Sequence, residues 1–248
     1  METDEMAFER PILALALALS LPVAAPAQDL DEARVKELVL EAIRENPEIV
    51  MEAVAILERR QANAQAETQA EALHSQRQII ENDPNAPVLG NPEGDVTVVE
   101  FFDYNCPYCR RVKSEVRELI DKDPGIRLVY REWPILGDGS VFAAKAALAA
   151  REQGRYEAFH WAMMEIDGRA DEASVLRVAE QVGLDLDQLR QDMEAPKVAE
   201  HIATSMRLTQ ALGFNGTPSF VVGDNLVPGF VEKEKLAELV EQTRENDD

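Results

Sequence analysis

Cysteine occurs only twice in this chain of 248 residues, and both copies sit in one tetrapeptide, Cys106-Pro107-Tyr108-Cys109. If a helix starts there, side chains at i and i+3 point the same way. Two thiols one turn apart then meet the Cα separation of roughly 4.4 to 6.8 Å that a disulfide needs. The pair can open and close with little strain. Cys106, at the helix start, faces unpaired N–H groups and the positive end of the dipole, which favour thiolate over thiol and make it the attacking sulfur. Cys109, one turn in, fits the resolving role. Half of a zinc site and a pair of inert core cysteines are the other readings. They carry less weight, because neither a second CxxC nor a histidine at ligand spacing accompanies the motif.

Six residues earlier, Glu100 interrupts the apolar run Val96 to Phe102. A carboxylate among Val98, Val99, Phe101 and Phe102 is costly unless it has a use, and desolvation should raise its pKa. It is then suited to relay the proton of Cys109, through water. The alternative is a glutamate at a frayed strand end. Other candidates are weaker. His74, His160 and His201 are far apart in sequence and read as surface or packed histidines. Met163-Met164, with Tyr156, Phe159 and Trp161, reads as core packing. Arg110, Arg111 and Lys113 follow the cysteines, where solvated helix-face charges are the simpler use.

The elements around the motif follow from its neighbours. Val96 to Phe102, VTVVEFF, is the β-branched and aromatic run of a central strand buried on both faces, and Ile126 to Tyr130 reads as a second. Between them, Val112, Val116, Leu119 and Ile120 recur at helical spacing over Arg110 to Asp121. Strand, helix, strand implies a parallel βαβ unit. From Ser140 to about Leu212 the pattern is helical, with breaks at Gly154, Gly168, Gly183 and Pro196. Ser219 to Val222 and Leu226 to Pro228 read as a hairpin, and Glu232 to about Thr243 as a last helix. A βαβ half and a ββα half around a helical insert is the layout of an α/β thioredoxin fold.

The region before Pro87 differs. Pro11 to Ala27 carries no charge, and Ile12 to Leu21 is an apolar run too short to span a bilayer comfortably. Ala25-Pro26-Ala27 follows as a small-x-small cleavage site, so residues 1–27 read as a secretory signal peptide, against an uncleaved anchor as the alternative. The acidic head, Glu2, Asp4, Glu5 and Glu9, departs from the usual positive start; initiation at Met6 removes three of the four. Residues 28–84 read as helical. Val35, Leu38, Val39, Ala42 and Ile43 form one stripe, Asn46 and Pro47 open a second helix with Val50, Ala53, Val54 and Leu57 on one face, and QANAQAETQAEA continues it as a solvated stalk. That stripe must be covered by another copy of the chain or by the main domain.

Composition narrows the rest. With 25 basic against 47 acidic side chains, net charge −22, and no basic block, the chain is a poor binder of nucleic acid. Two cysteines rule out a disulfide-stapled scaffold or a four-thiolate cluster.

Phe101-Phe102-Asp103-Tyr104-Asn105-Cys106-Pro107-Tyr108-Cys109 resembles the active-site strand and CxxC of DsbA-like thiol:disulfide oxidoreductases. Gly216-Thr217-Pro218-Ser219-Phe220 resembles their cis-proline loop, and the likeness runs from about Pro87 to Val240. The resemblance implies that Pro218 is cis and faces the disulfide, and that Thr217 offers backbone groups to an extended substrate. Pro107 and Tyr108 complete the substrate-facing set. ENPEIVMEAVAILERRQ resembles the helical extension of ScsC-like proteins, some of which oligomerise through it and shuffle disulfides. Threonine before the proline is closer to the isomerases than to DsbA, where valine is usual. Pro107-Tyr108 in place of Pro-His argues against strong oxidising power, because tyrosine cannot stabilise the thiolate by charge.

The expectation is therefore a thioredoxin fold over residues 85–248 with a helical insert about 139–212, behind a helical, oligomerising region at 28–84. The implied activity is disulfide exchange, by oxidation or isomerisation, with partly folded exported proteins in the periplasm, through Cys106, Cys109 and Glu100. A membrane redox partner would reset the cysteines, and no cofactor or resident metal is expected. A copper-tolerance protein holding Cu(I) between the two thiolates is the alternative from another class.

Overall fold

The computed structural model describes residues 31–247; the expected signal peptide, 1–27, lies outside them. The chain divides between Glu58 and Arg59 into two units. In the first, Asp31 caps α1 (Glu32–Glu45) by accepting the Arg34 N–H at 2.7 Å. The Asn46 carbonyl accepts the Ile49 N–H at 3.1 Å at the start of the following helix, but its side chain does not cap that helix as its sequence position suggests. Its backbone N–H and its side-chain amide both donate to the Ala42 carbonyl, at 2.9 and 3.2 Å, so it closes α1, and α2 (Glu48–Asn82) begins two residues later. The last carbonyls of a helix lack partners just as the first N–H groups do, and here they win. α1 buries none of its residues, and Val35, Leu38, Val39, Val50, Val54 and Leu57 stand between 39 and 62% exposed.

The second unit is built on a five-stranded sheet in the order β1 (Val88–Gly90), β3 (Ile126–Glu132), β2 (Val96–Phe102), β4 (Ser219–Val222), β5 (Asn225–Pro228). β2 and β3 run parallel, joined by α3 (Pro107–Lys122), and every other pairing is antiparallel. β1 has no counterpart in the sequence reading: three residues are too few for alternation to register.

β2 sits between β3 and β4 and is buried on both faces. Val98 and Phe102 pack with Cys109, Val112 and Val116 of α3 and with Leu236 and Val240 of α9 (Lys233–Asp247). Val99 and Phe101 face the other way, onto Leu73 and Ile80 from the C-terminal part of α2 and Leu208 and Leu212 from the end of the insert. The insert comprises α4 (Asp138–Ala150), α5 (Tyr156–Met163), α6 (Glu172–Gln181), α7 (Leu186–Met193) and α8 (Pro196–Ala211). Gly154, Gly168 and Gly183 lie in its connections with positive φ, a conformation that other residues adopt only with strain. Gly139 meets a different limit, since a Cβ there would lie 2.1 Å from the Ala170 carbonyl oxygen.

One buried ion pair and a neutral histidine meet at Asp83 in the second unit. Arg131, wholly buried on β3, donates to Asp83 at 2.7 Å, and His201 of α8 lies 3.6 Å from the same carboxylate. The His201 side chain holds Asp83 well below the usual carboxylate range against the opposing effect of burial, with the Asn85 N–H and the Arg131 charge adding to it.

Candidate active site

Cys106 is the N-cap of α3, in extended backbone (φ −79°, ψ 120°), with Pro107 at the first helical position, where a missing N–H costs nothing. Cys109 lies one turn in. Both thiols are free; Cys106 is 4% exposed and Cys109 has no exposed surface, whereas Tyr108 between them is 57% exposed. The Thr217–Pro218 bond is cis, and the Thr217 carbonyl oxygen lies 3.1 Å from the Cys106 sulfur, close enough to accept from the thiol.

The two thiols ionise very differently. The Cys106 thiol is lowered to about 6, chiefly by a hydrogen bond from the Cys109 side chain, then by the Thr217 side chain and the Cys109 and Tyr108 N–H groups, against the cost of burial. Burial pushes Cys109 well up, and the thiolate of Cys106 and the charge of Glu100 act in the same direction. Glu100 is in the middle of β2, paired on both sides and 2% exposed, so it is not at a frayed end. It shares the face of Val98 and Phe102, behind Cys109. Burial raises its carboxyl well above the ordinary range, and the neighbouring Cys106 charge adds to that.

Three residues between β2 and the first cysteine hold the motif in place, and the sequence reading did not single them out. The Asp103 carboxylate accepts the Asn105 N–H at 2.7 Å through one oxygen and the Ile135 and Leu136 N–H groups at 2.8 and 2.9 Å through the other. One side chain thus ties the loop leaving β2 to the loop leaving β3. The Asn105 amide donates to Ser140 and to the Ala170 carbonyl and accepts the Ala170 N–H at 2.7 Å, locking the same loop to the insert. The Tyr104 hydroxyl meets His160 Nδ1 at 3.1 Å. Burial lowers His160 to about 3, so the imidazole is neutral. Arg110 is not a free helix-face charge: it donates to the Tyr104, Ile166 and Gly168 carbonyls. Arg111 lies over the Phe230 ring at 4.4 Å, and Lys113 pairs with Glu165 at 3.0 Å. Asp103 and Asn105 bond to partners 32 to 65 positions away, which no local pattern encodes.

The family model of the DSBA-like thioredoxin domain matches residues 97–241, more than half of the chain. The chain belongs to the DsbA-like thiol:disulfide oxidoreductase family. The model of the copper resistance protein ScsC N-terminal domain matches residues 31–64. Among solved structures, a thioredoxin-like oxidoreductase from Silicibacter pomeroyi is 69% identical, covering 68% of this chain and 98% of its own, with a TM-score of 0.68. A linker-deletion mutant of Proteus mirabilis ScsC is 26% identical over 90% of this chain and 99% of its own, with a TM-score of 0.65. The thiol-disulfide exchange protein alpha-DsbA2 from Wolbachia pipientis is 30% identical over 72% and 97%, with a TM-score of 0.67. A Na(+)/H(+) antiporter NhaA of Salinispora tropica is 34% identical over 155 residues, and the chain spans about a quarter (24%) of its length. Among the described residues no helix is long and apolar enough to cross a membrane.

Proposed function

We propose that this protein exchanges disulfides with partly folded exported proteins in the periplasm through a mixed disulfide at Cys106. The observation that carries the reading is the split between the two thiols. Cys106 is lowered to about 6 at a helix N-terminus, chiefly by the Cys109 side chain and then by the Thr217 side chain, whereas Cys109 is buried and raised. The thiolate of Cys106 attacks a client disulfide, one client sulfur leaves, and Cys109 then attacks Cys106 to release the other. Glu100 takes the proton from Cys109 as that attack proceeds. The backbone at Thr217 and Pro218 receives the extended client, and Pro107 and the exposed Tyr108 form the rim it crosses. A separate membrane redox protein would return the pair to its working state.

We assign the first unit to oligomerisation. Its apolar stripe is uncovered along both helices, and several active sites on one particle would let a client held at one be reshuffled at another, which favours isomerisation. Cys109→Ala tests the exchange reading directly. With no thiol left to resolve them, client adducts should accumulate at Cys106 in an oxidising compartment and run as reducible bands. If none forms, client exchange is wrong.

One observation favours a second reading, in which the two thiolates hold Cu(I): the match of residues 31–64 to a domain named for copper resistance. Tight, stoichiometric Cu(I) uptake by a protein that forms no mixed disulfide would support it.

A further inference from the structure

A second carboxyl group is buried on the sheet face that Glu100 shares. β2 and β3 pair in parallel with Glu100 opposite Tyr130 and Phe102 opposite Glu132. Glu132 therefore lies one strand over and two residues along from Glu100. Strand spacing and rise set their Cα atoms at roughly 8 Å, a gap that two carboxyl side chains span. Alternation along β3 turns Glu132 to the face of Leu128 and Tyr130, in the same core as Cys109. Glu132 is 1% exposed and in no ion pair among the described residues; Tyr156 donates to one of its oxygens at 3.0 Å and the other oxygen has no partner. A buried acid held this way is costly and invites a functional account. Tyr156 also lines a surface cleft of about 320 Å³ beside β1, together with Arg151 and Glu157.

Cys109 has no surface of its own, and a client seated on Cys106 and Thr217 closes the open side of the site. The proton that Cys109 loses needs another way out. The geometry points to Glu132 and Tyr156 as that way: a proton path from Glu100 to the cleft beside β1. This rests on the reading of Glu100 as the acceptor. In the resolving step the Cys109 S–H bond breaks, its proton passes to the Glu100 carboxylate, and the sulfur forms a bond to Cys106. The bond from Cys106 to the client breaks, and the client sulfur leaves with the electron pair as a thiolate. Two electrons have moved from the dithiol to the client. Glu100 then hands its proton to Glu132, and Glu132 passes one on through the Tyr156 hydroxyl to water in the cleft. Glu132 acts through Glu100 and touches neither sulfur chemistry nor client.

The test uses the full-length reduced protein and oxidised glutathione. The rate rises with glutathione concentration while attack by Cys106 limits, then levels off at the rate of resolution by Cys109. Glu132→Gln should lower that plateau about tenfold relative to the attack constant, a modest share of what positioned proton transfer supplies. It should also enlarge the H2O/D2O ratio measured on the plateau. Tyr156→Phe should act in the same direction and decides the matter if the glutamine variant fails to fold. In a Glu100→Gln background neither change should add anything, because the path is already cut. If Glu100→Gln leaves the plateau unchanged, the reading of Glu100 falls and the path with it. If Glu100→Gln slows resolution but Glu132→Gln and Tyr156→Phe change neither plateau nor isotope ratio, the path is overturned and Glu100 stands. Equal slowing by Glu132→Gln with and without Glu100 also overturns it, since that is the mark of a scaffold.

Discussion

Lowering the pH from 8 to 5 should turn Cys106 from an ordinary nucleophile into a selective one. Its thiol sits at about 6 against an ordinary value of 9.0, through the hydrogen bonds from Cys109, Thr217 and the first helical N–H groups. At pH 5 about 9% of Cys106 is thiolate against about 0.01% of an ordinary thiol, an advantage of about 900-fold. A thiolate of lower pKa is also a weaker nucleophile. With a Brønsted coefficient of about 0.45, carried over from attack on disulfides to alkylation as an order of magnitude, three units cost about twentyfold. The net advantage at pH 5 is about fortyfold, and at pH 8, where the ordinary thiol is about 9% ionised, the same arithmetic leaves Cys106 at about half its rate. Cys109, buried and raised, should lag behind both. Alkylation with iodoacetamide at pH 5, 6.5 and 8, beside a small reference thiol that titrates near 9.0, gives the ratio by peptide mass spectrometry. A midpoint for Cys106 above pH 8, or more label on Cys109 at any pH, refutes the argument.

The same depressed thiol should make stability depend on pH. The folded value, about 6, lies below the unfolded 9.0, so the contribution is complete above 9, is lost as pH falls through 6, and grows between them. Chemical denaturation of the reduced protein should show wild type gaining on Cys106→Ala by about 1 kcal/mol per pH unit in that window, after a discount for solvent at the sulfur; a pH-independent difference contradicts it. Thr217→Val keeps bulk and branching while removing the hydroxyl, so the rate of client release should change with the fold intact; identical release rates would reduce Thr217 to scaffolding. If the first unit joins chains as proposed, removing residues 28–58 should leave a monomer that keeps dithiol reactivity and loses the proposed isomerase activity. The cut stops there because Leu73 and Ile80, farther along α2, are buried against Val99 and Phe101 of the sheet. A full-length protein that is monomeric by light scattering at micromolar concentration contradicts the oligomer.

What could be read in the sequence was local. The CxxC at a helix start, the seven-residue strand before it and the glycines that punctuate the insert each rest on neighbours within a few positions. So does Glu100, conspicuous because its neighbours are apolar. The groups that hold the site together were not legible in this way. Asp103 and Asn105 look like turn residues until the loop after β3 and the Ala170 segment arrive to meet them. Glu132 follows an arginine in a strand that could have ended before it, and only the register with β2 turns it inward. The division of α2 was hidden for the opposite reason: the alanine- and glutamine-rich stretch favours one unbroken helix, and nothing local marks where its environment changes.

The strand order has a further consequence for the proposed exchange with partly folded chains. Open sheet edges present unpaired N–H and C=O groups to any extended polypeptide and invite it to join as an extra strand. Here the long strands β2 and β3 are interior, and the two edges fall to β1, three residues directly after Pro87, and β5, four residues ending in Pro228. Each edge is short and flanked by a residue that cannot donate. A client exchanged at Cys106, as proposed, would then be held by its sulfur alone and let go, without being templated into the sheet and kept.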